Sequence, residues 1–259
     1  CILACLYFLA LPLTITLNSS GSSFLKVVTL PIAGYFAVSI FFYRKELELN
    51  IIHLCSLLYL MTVVTTLFVD NSALAVQYVR GYIETIGLMF LITIRKYTKN
   101  EIEAFEISQM LLLGIMILLG LAGADWYGDR NTMTIFGATC DPNYFVGFFI
   151  LPIAVALKKI KENIIYKVLC PVLILLGSYI VLSSGSRGGL IALITMIMSF
   201  VFFNAKGTKQ RLIGITVAVV AAIIVWTVVL PILPEDVSSR FSIEKLIESG
   251  GTGRASIWA

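Results

Sequence analysis

The stretch "LLGSYIVLSSGSRGGLIALITMI", residues 175–197, consists of two apolar segments separated by a short turn of serine and glycine. The turn contains a single charged residue, Arg187. Each apolar segment belongs to a run of about 17–25 residues, the length that a membrane-spanning helix needs. A guanidinium is costly at membrane depth and ordinary in a turn that faces water. The stretch therefore predicts a helical hairpin in a membrane, with Arg187 at its exposed end.

The composition of the whole chain agrees with this hairpin. The 259 residues are 59% hydrophobic and 13% charged, whereas soluble domains are about 45–50% apolar and about 25% charged. We therefore expect an all-α fold, a polytopic membrane bundle of about nine spans. These spans are predicted near residues 1–17, 24–43, 51–69, 73–94, 102–122, 143–157, 167–184, 188–204 and 212–231. We expect no metal site, since the five cysteines lack C-x-x-C spacing and there is one histidine.

The loops between the predicted spans alternate in charge. Twelve of the 19 lysines and arginines fall in or beside four loops, "YRKELELN", "IRKYTKNE", "KKIKENIIYK" and "NAKGTKQR". Because positive loops stay on the cytoplasmic side, these four are predicted to face the cytoplasm. This topology accounts for the net charge of +4 without a nucleic-acid partner. Five of the other seven cations are arginines, the residue suited to bidentate contact with phosphate, so an anionic ligand is expected on the outer face.

The turn around Arg187 is the first candidate for that ligand site. Ser186 is suited to cap the following helix, which would leave the amides of Arg187, Gly188 and Gly189 unpaired and directed outward. A helix N-terminus of this kind, with an adjacent arginine, favours phosphate. The alternative is a plain hairpin turn whose arginine reaches toward lipid headgroups.

Two other motifs contain polar groups inside or beside predicted spans. In "TCDPNYF", residues 139–145, Asp141 and Pro142 form a typical helix start; alternatively, Asp141 or Asn143 faces the outer cavity and orients a hydroxyl group. In "YVRGYIETIG", residues 78–87, Arg80 and Glu84 are four residues apart and share one helix face. Such a pair marks a pathway or site, or belongs to an interfacial helix at headgroup level.

The C-terminal stretch "SGGTGRASIW", residues 249–258, resembles a second anion site. Its glycine-rich turn precedes Arg254, and exposed amides beside a guanidinium suit a phosphate. Trp258 would then rest against a sugar ring or lie at the membrane interface. The alternative is a loop that leads into another span. The outer loop 123–140 adds acidic and aromatic residues that suit carbohydrate contact or simply a solvated loop.

Taken in order, the D-P-N start, "SGSRGGL" and the later "GR…IW" resemble the superfamily of O-antigen ligases and O-antigen polymerases. The resemblance covers most of the chain from about residue 70 onward. It implies a GT-C-like membrane glycosyltransferase in the bacterial inner membrane, independent of metal and cofactor. Such enzymes move a saccharide from an undecaprenyl diphosphate-linked donor to lipid A core or another glycan on the outer face.

The resemblance also implies roles for individual residues. Arg187 and Arg254 would hold the diphosphate leaving group, with Arg80 next and Asp141 orienting the acceptor. Residues 1–231 would form the bundle, and residues 232–259 would begin a large extracytoplasmic loop that continues beyond Ala259 to a histidine-containing motif. Two other classes remain open: a transporter or flippase of lipid-linked saccharides, and a structural scaffold.

Overall fold

The structure is a computed structural model that describes residues 2–10, 24–43, 47–68, 73–94, 96–122, 124–127, 130–135, 138–233 and 235–242. Its helices are α1 (Ile2–Ala10), α2 (Phe24–Tyr43), α3 (Ile51–Thr65), α4 (Ala73–Thr93), α5 (Lys99–Ala122), α6 (Pro142–Lys159), α7 (Ile164–Ser183), α8 (Arg187–Asn204), α9 (Thr208–Ile224) and the short α10 (Glu235–Ser238). Each predicted span overlaps a described helix, although residues 1, 11–17 and 69 of these spans lie outside the described residues. The helical class is confirmed.

Four of the described helical stretches are long and apolar enough to cross a membrane: Ile51–Phe68, Lys99–Leu121, Ile164–Ser183 and Arg187–Asn204. Large apolar side chains on several helices are exposed, for example Phe41 at 80%, Leu118 at 67% and Leu175 at 70%. An apolar exterior of this extent is typical of helices that face lipid rather than water. These helices indicate a membrane protein, while the full count of nine spans stays a prediction.

The described chain divides into two compact units, with the boundary inside α5. The first unit contains residues 2–7 and 24–105, with a core of Ala4, Ile32, Phe36 and Leu88. In it, the buried ring of His53 accepts the Asn50 amide at Nδ1, at 3.1 Å, and its Nε2 lies 3.0 Å from Thr93 Oγ1. Since Nδ1 is the acceptor, Nε2 carries the proton and donates to Thr93. This histidine therefore fixes the start of α3 to the end of α4.

The second unit contains residues 8–10 and 106–242, and its core lies between α5, α6, α7 and α8. Phe145 and Phe149 of α6 are fully buried there and meet edge to face, with their ring centroids 5.2 Å apart. Gly177 lets α7 lie close to α5 and α6, because an added Cβ would lie 3.2 Å from Leu113 Cδ1 and 3.3 Å from Ile153 Cδ1. The close packing of these helices fixes the position of the two helix starts described below.

A small antiparallel sheet lies between α5 and α6, formed by β1 (Ala124–Tyr127), β2 (Arg130–Ile135) and β3 (Ala138–Thr139). The span pattern predicted only a loop here, and the sheet is an addition to the helical fold. Its cause is visible in "TMTIFGAT", which is rich in β-branched residues. Thr132 Oγ1 donates a 2.6 Å hydrogen bond to the Cys140 carbonyl, which ties β2 to the residues before α6.

The last described residues follow a wide helical turn. Beyond α9, residues Val225–Val229 form a π-helical turn, and Leu230–Ile232 resume the α-helix. The chain then forms α10 and a 3₁₀ turn, Ser239–Phe241. We call residues 235–241 the covering segment. Its Val237 and Phe241 are buried against Leu182 and Leu233, so the segment is held against the junction of α7 and α8. The predicted domain boundary at residue 231 stays a prediction.

Candidate anion-binding site

The site begins at the reversal between α7 and α8. Gly185 has a φ of 61°, in the left-handed region that glycine adopts without steric cost. This turn allows α7 to end at Ser183 and α8 to begin at Arg187, with Ser186 as its N-cap. The Ser186 hydroxyl accepts the Gly189 amide at 3.0 Å. The predicted cap is confirmed, but the Gly189 amide is not free as expected, because the cap itself uses it.

The start of α6 lies directly beside the start of α8. Ser186 Oγ donates to Asn143 Oδ1 at 2.8 Å, and the Asn143 amide donates to Asp141 Oδ1 at 2.8 Å. Asp141 is therefore the N-cap of α6 with Pro142 in the first turn. Gly189 permits this proximity, since an added Cβ would lie 2.4 Å from Val146 Cγ1. The structure thus brings Asp141, Asn143, Ser186 and Gly189 together.

Arg187 is the centre of this arrangement. Its Nε donates a 2.6 Å hydrogen bond to the carbonyl oxygen of Arg240, in the covering segment. Its Nη1 is buried and has no hydrogen-bond partner in the part of the chain that the structure describes. A buried donor without a partner costs about 1–3 kcal/mol, and more when it is charged. An anion bound at Nη1 would remove this cost.

Backbone donors lie beside the guanidinium. The amides of Arg187 and Gly188 are the first two of α8, a position that leaves them without a partner in their own helix. Among the described residues, no acceptor outside the helix takes them either. Nothing lies within 4 Å of the position that a Cβ on Gly188 would occupy, so a ligand can approach this part of the backbone. Two amides and a guanidinium at a helix N-terminus are a combination of donors suited to phosphate.

The remaining predicted site residues are Arg80, Arg254 and Trp258. Arg80 lies on α4 in the first unit, where its Nε pairs with Glu84 Oε1 at 2.8 Å. Both side chains are largely exposed, so this pair contributes about 0.3–0.5 kcal/mol. The pairing is confirmed and a role in binding stays a prediction. Arg254 and Trp258 lie outside the described residues. For the acidic and aromatic residues of the loop 123–140, the structure describes at most backbone positions in β1 and β2.

Sequence reasoning missed Arg240, which it treated as one of several outer cations. The signal was present in "VSSRF", where Val237 and Phe241 are four residues apart and hence on one helix face. A short amphipathic segment of this kind is expected to dock on apolar neighbours. Because Arg240 is next to Phe241, docking of the segment brings Arg240 close to Arg187.

A second buried charge cluster joins α5 to the end of α6. Glu106 pairs with Lys158 and, at 2.8 Å, with Lys159, which also contacts Glu162 at 2.9 Å. Burial lowers the pKa of Lys159, but the hydrogen bonds to the two carboxylates outweigh it and raise the pKa above the ordinary value. Gln109, one turn further along α5, has a fully buried carboxamide without a hydrogen-bond partner in the described part of the chain. Sequence reasoning treated the two lysines as markers of topology.

The thiol of Cys140 lies at the border of the site. It is 1% exposed and donates to the Asp141 carbonyl at 3.2 Å. Burial raises the pKa of Cys140 to about 12, and the charge of Asp141 adds to this effect. The thiol therefore stays neutral and unreactive at physiological pH. Within the described ranges, no group of three or more His, Cys, Asp or Glu side chains could hold a metal ion.

Comparison with known proteins gives no assignment: no protein-family profile, curated protein or solved structure matches the chain.

Proposed function

We propose that this protein is a membrane glycosyltransferase that uses an undecaprenyl diphosphate-linked saccharide as its donor. The observation that supports this most directly is the buried, unpartnered Nη1 of Arg187 beside the first two amides of α8. The ligand that this combination suits is a phosphate or diphosphate. Helices long and apolar enough to cross a membrane make a lipid-linked diphosphate the natural source.

The chemistry follows from the charge that develops in the reaction. When an acceptor hydroxyl attacks the anomeric carbon, a bond forms between its oxygen and that carbon, and the bond from the carbon to the diphosphate oxygen breaks. The leaving group gains negative charge, and the proton of the acceptor hydroxyl is released to solvent. The Arg187 guanidinium and the amides of Arg187 and Gly188 would stabilise that charge, as donors do in an oxyanion hole. Removing one such donor costs on the order of 10²–10³ in rate. The proposal assigns this reaction to the outer face of a bacterial inner membrane, in a nine-span, GT-C-like bundle.

The geometry changes the expected mode of contact. A guanidinium offers two edges to a planar or tetrahedral anion, and Nε belongs to one of them. Because Nε is bonded to the Arg240 carbonyl, the anion would contact the edge that contains Nη1. Asp141 is exposed and one of its oxygens caps α6; the carboxylate would orient an acceptor hydroxyl. Ser186 and Asn143 then serve to position the start of α8 relative to α6.

The test uses the purified protein in liposomes with a synthetic polyprenyl diphosphate-linked glycan and a glycan acceptor. Arg187→Lys keeps the charge but removes the planar fork, so glycan transfer should fall on the order of 10²–10³-fold. Arg211→Lys is the matched control, because Arg211 stacks on Phe202, at 4.8 Å from the ring centroid, away from the site. Near-normal transfer by Arg187→Lys would contradict the proposal. Donor that crosses the bilayer without being consumed would instead identify a flippase.

A further inference from the structure

The contact between Arg187 and Arg240 joins the candidate site to a segment 53 residues later in the chain. The acceptor is a main-chain carbonyl at the end of a helical segment, in the 3₁₀ turn Ser239–Phe241. The last carbonyls of a helical segment lack a donor within it and carry partial negative charge. A guanidinium is a favoured partner for such a carbonyl. The contact of Arg187 with the Arg240 carbonyl is of this kind.

Apolar anchors determine where this carbonyl lies. Val237 is completely buried and Phe241 is 7% exposed, and both belong to one buried apolar cluster with Leu182 at the end of α7. Leu190 of α8 packs against the same cluster. The anchors lie three residues before and one residue after Arg240, so they restrain it from both sides. The cluster therefore fixes the carbonyl relative to the start of α8.

The π-helical turn, Val225–Val229, contributes to the apolar surface on which the covering segment packs. Val225 and Val229, its first and last residues, both pack against the cluster of Leu182, Leu233, Val237 and Phe241. Turns of this kind are rare and occur frequently at functional sites. Here the turn adds apolar area beneath the covering segment, next to the arginine that the proposed function uses.

We propose that the main-chain carbonyl of Arg240 is the positioning group of the anion site, and that Val237 and Phe241 hold it in place. By binding Nε, the carbonyl orients the guanidinium so that Nη1 points toward the ligand. This inference rests on the proposed function, since it assigns the group that prepares Arg187 for a diphosphate. A purely structural role for Arg187, as a cap for the covering segment, would predict no effect of the anchors on anion binding.

The test is a double-mutant cycle with inorganic pyrophosphate as the probe, measured by calorimetry on the detergent-solubilised protein. Val237→Ala should weaken pyrophosphate binding roughly tenfold in the native background, a coupling within the range for residues that share a partner. In the Arg187→Lys background the same truncation should change affinity less than about twofold, because the oriented fork is already absent. Val237→Ile, which keeps a β-branched apolar side chain at this position, should bind pyrophosphate more tightly than Val237→Ala. Val155→Ala, a truncation of a buried valine in α6, controls for general loss of packing.

The outcomes separate the two proposals. If Arg187→Lys leaves pyrophosphate affinity unchanged, the anion site itself is wrong and the positioning role falls with it. If Arg187→Lys weakens binding but the effects of the two substitutions add, the site stands and the positioning role is overturned. Should Val237→Ala fail to fold, Phe241→Leu is a milder change at the same cluster and gives the same comparison.

Discussion

Replacing Gly189 by alanine tests the packing that brings the two helix starts together. The new Cβ would lie 2.4 Å from Val146 Cγ1 and 3.1 Å from Val146 Cβ, whereas carbon atoms in contact are about 3.5–4.0 Å apart. Val146 is 1% exposed and has little room to move. The start of α8 must therefore separate from α6 by about 1 Å to restore ordinary contacts.

The magnitude is the balance of two opposing effects. Overpacking a close-packed core costs about 1–3 kcal/mol, and replacing glycine within a helix gains up to about 1 kcal/mol. Because the approach to Val146 is so short, we expect Gly189→Ala to lower the free energy of unfolding by about 1–2 kcal/mol. Gly188→Ala is the matched control, since nothing lies within 4 Å of its added Cβ; its effect should be neutral or stabilising.

The assay is reversible unfolding of the purified protein in mixed micelles, followed by circular dichroism as denaturing detergent is added. Val146→Ala should recover most of the stability in the Gly189→Ala background, although by itself it removes buried methyl groups and destabilises. If Gly189→Ala proves as stable as Gly188→Ala, the close approach of α6 and α8 is refuted.

Two further predictions concern buried groups outside the anion site. Lys159→Met should lower the free energy of unfolding by about 3–5 kcal/mol, because it removes one of the two cations that pair with buried Glu106 and breaks the ion pair with Glu162. Lys158→Met is the control: its side chain is 56% exposed, so the substitution should cost under about 1 kcal/mol. Since the folded protein raises the pKa of Lys159, the stability from this ion pair is fully present below the ordinary value of about 10.4 and is lost as the pH rises through the folded value. Unfolding curves between about pH 9 and 12 measure the onset of this loss, and an unchanged pH dependence in Lys159→Met would contradict it. Cys140, with its pKa raised to about 12, should not react with N-ethylmaleimide at pH 8 until the protein unfolds. Mass spectrometry detects the adduct, and rapid labelling of the native protein would contradict the burial of this thiol.

The helices could be predicted because each one depends mainly on residues that are close together in the sequence. Their lengths follow from uninterrupted apolar runs, and caps such as Ser186 and Asp141 are properties of a few neighbouring residues. The sheet at residues 124–139 was missed because its strands are short and lie within a region that reads as a polar loop. Its β-branched residues favour strands only weakly without knowledge of their cross-strand neighbours.

The site could be predicted only in part for a similar reason. The arginine, the glycines and the cap of α8 are adjacent in sequence, so their chemistry is visible there. The contact of Arg187 with Arg240, and the use of the Gly189 amide by Ser186, depend on how distant segments pack and which donor the cap selects. The cluster at Glu106 has the same origin, since its partners on α6 lie 52 and 53 residues away.

One consequence follows from the position of Ser186. Four hydrogen bonds, joined by neighbouring residues of the chain, connect the sheet to the covering segment. The first two link Thr132 to Cys140 and Asp141 to Asn143. The other two link Asn143 to Ser186 and Arg187 to the backbone of Arg240. The small sheet and the covering segment are therefore mechanically linked, although they are separated by about a hundred residues of chain. A displacement of the sheet would therefore reach the start of α8, where Arg187 lies.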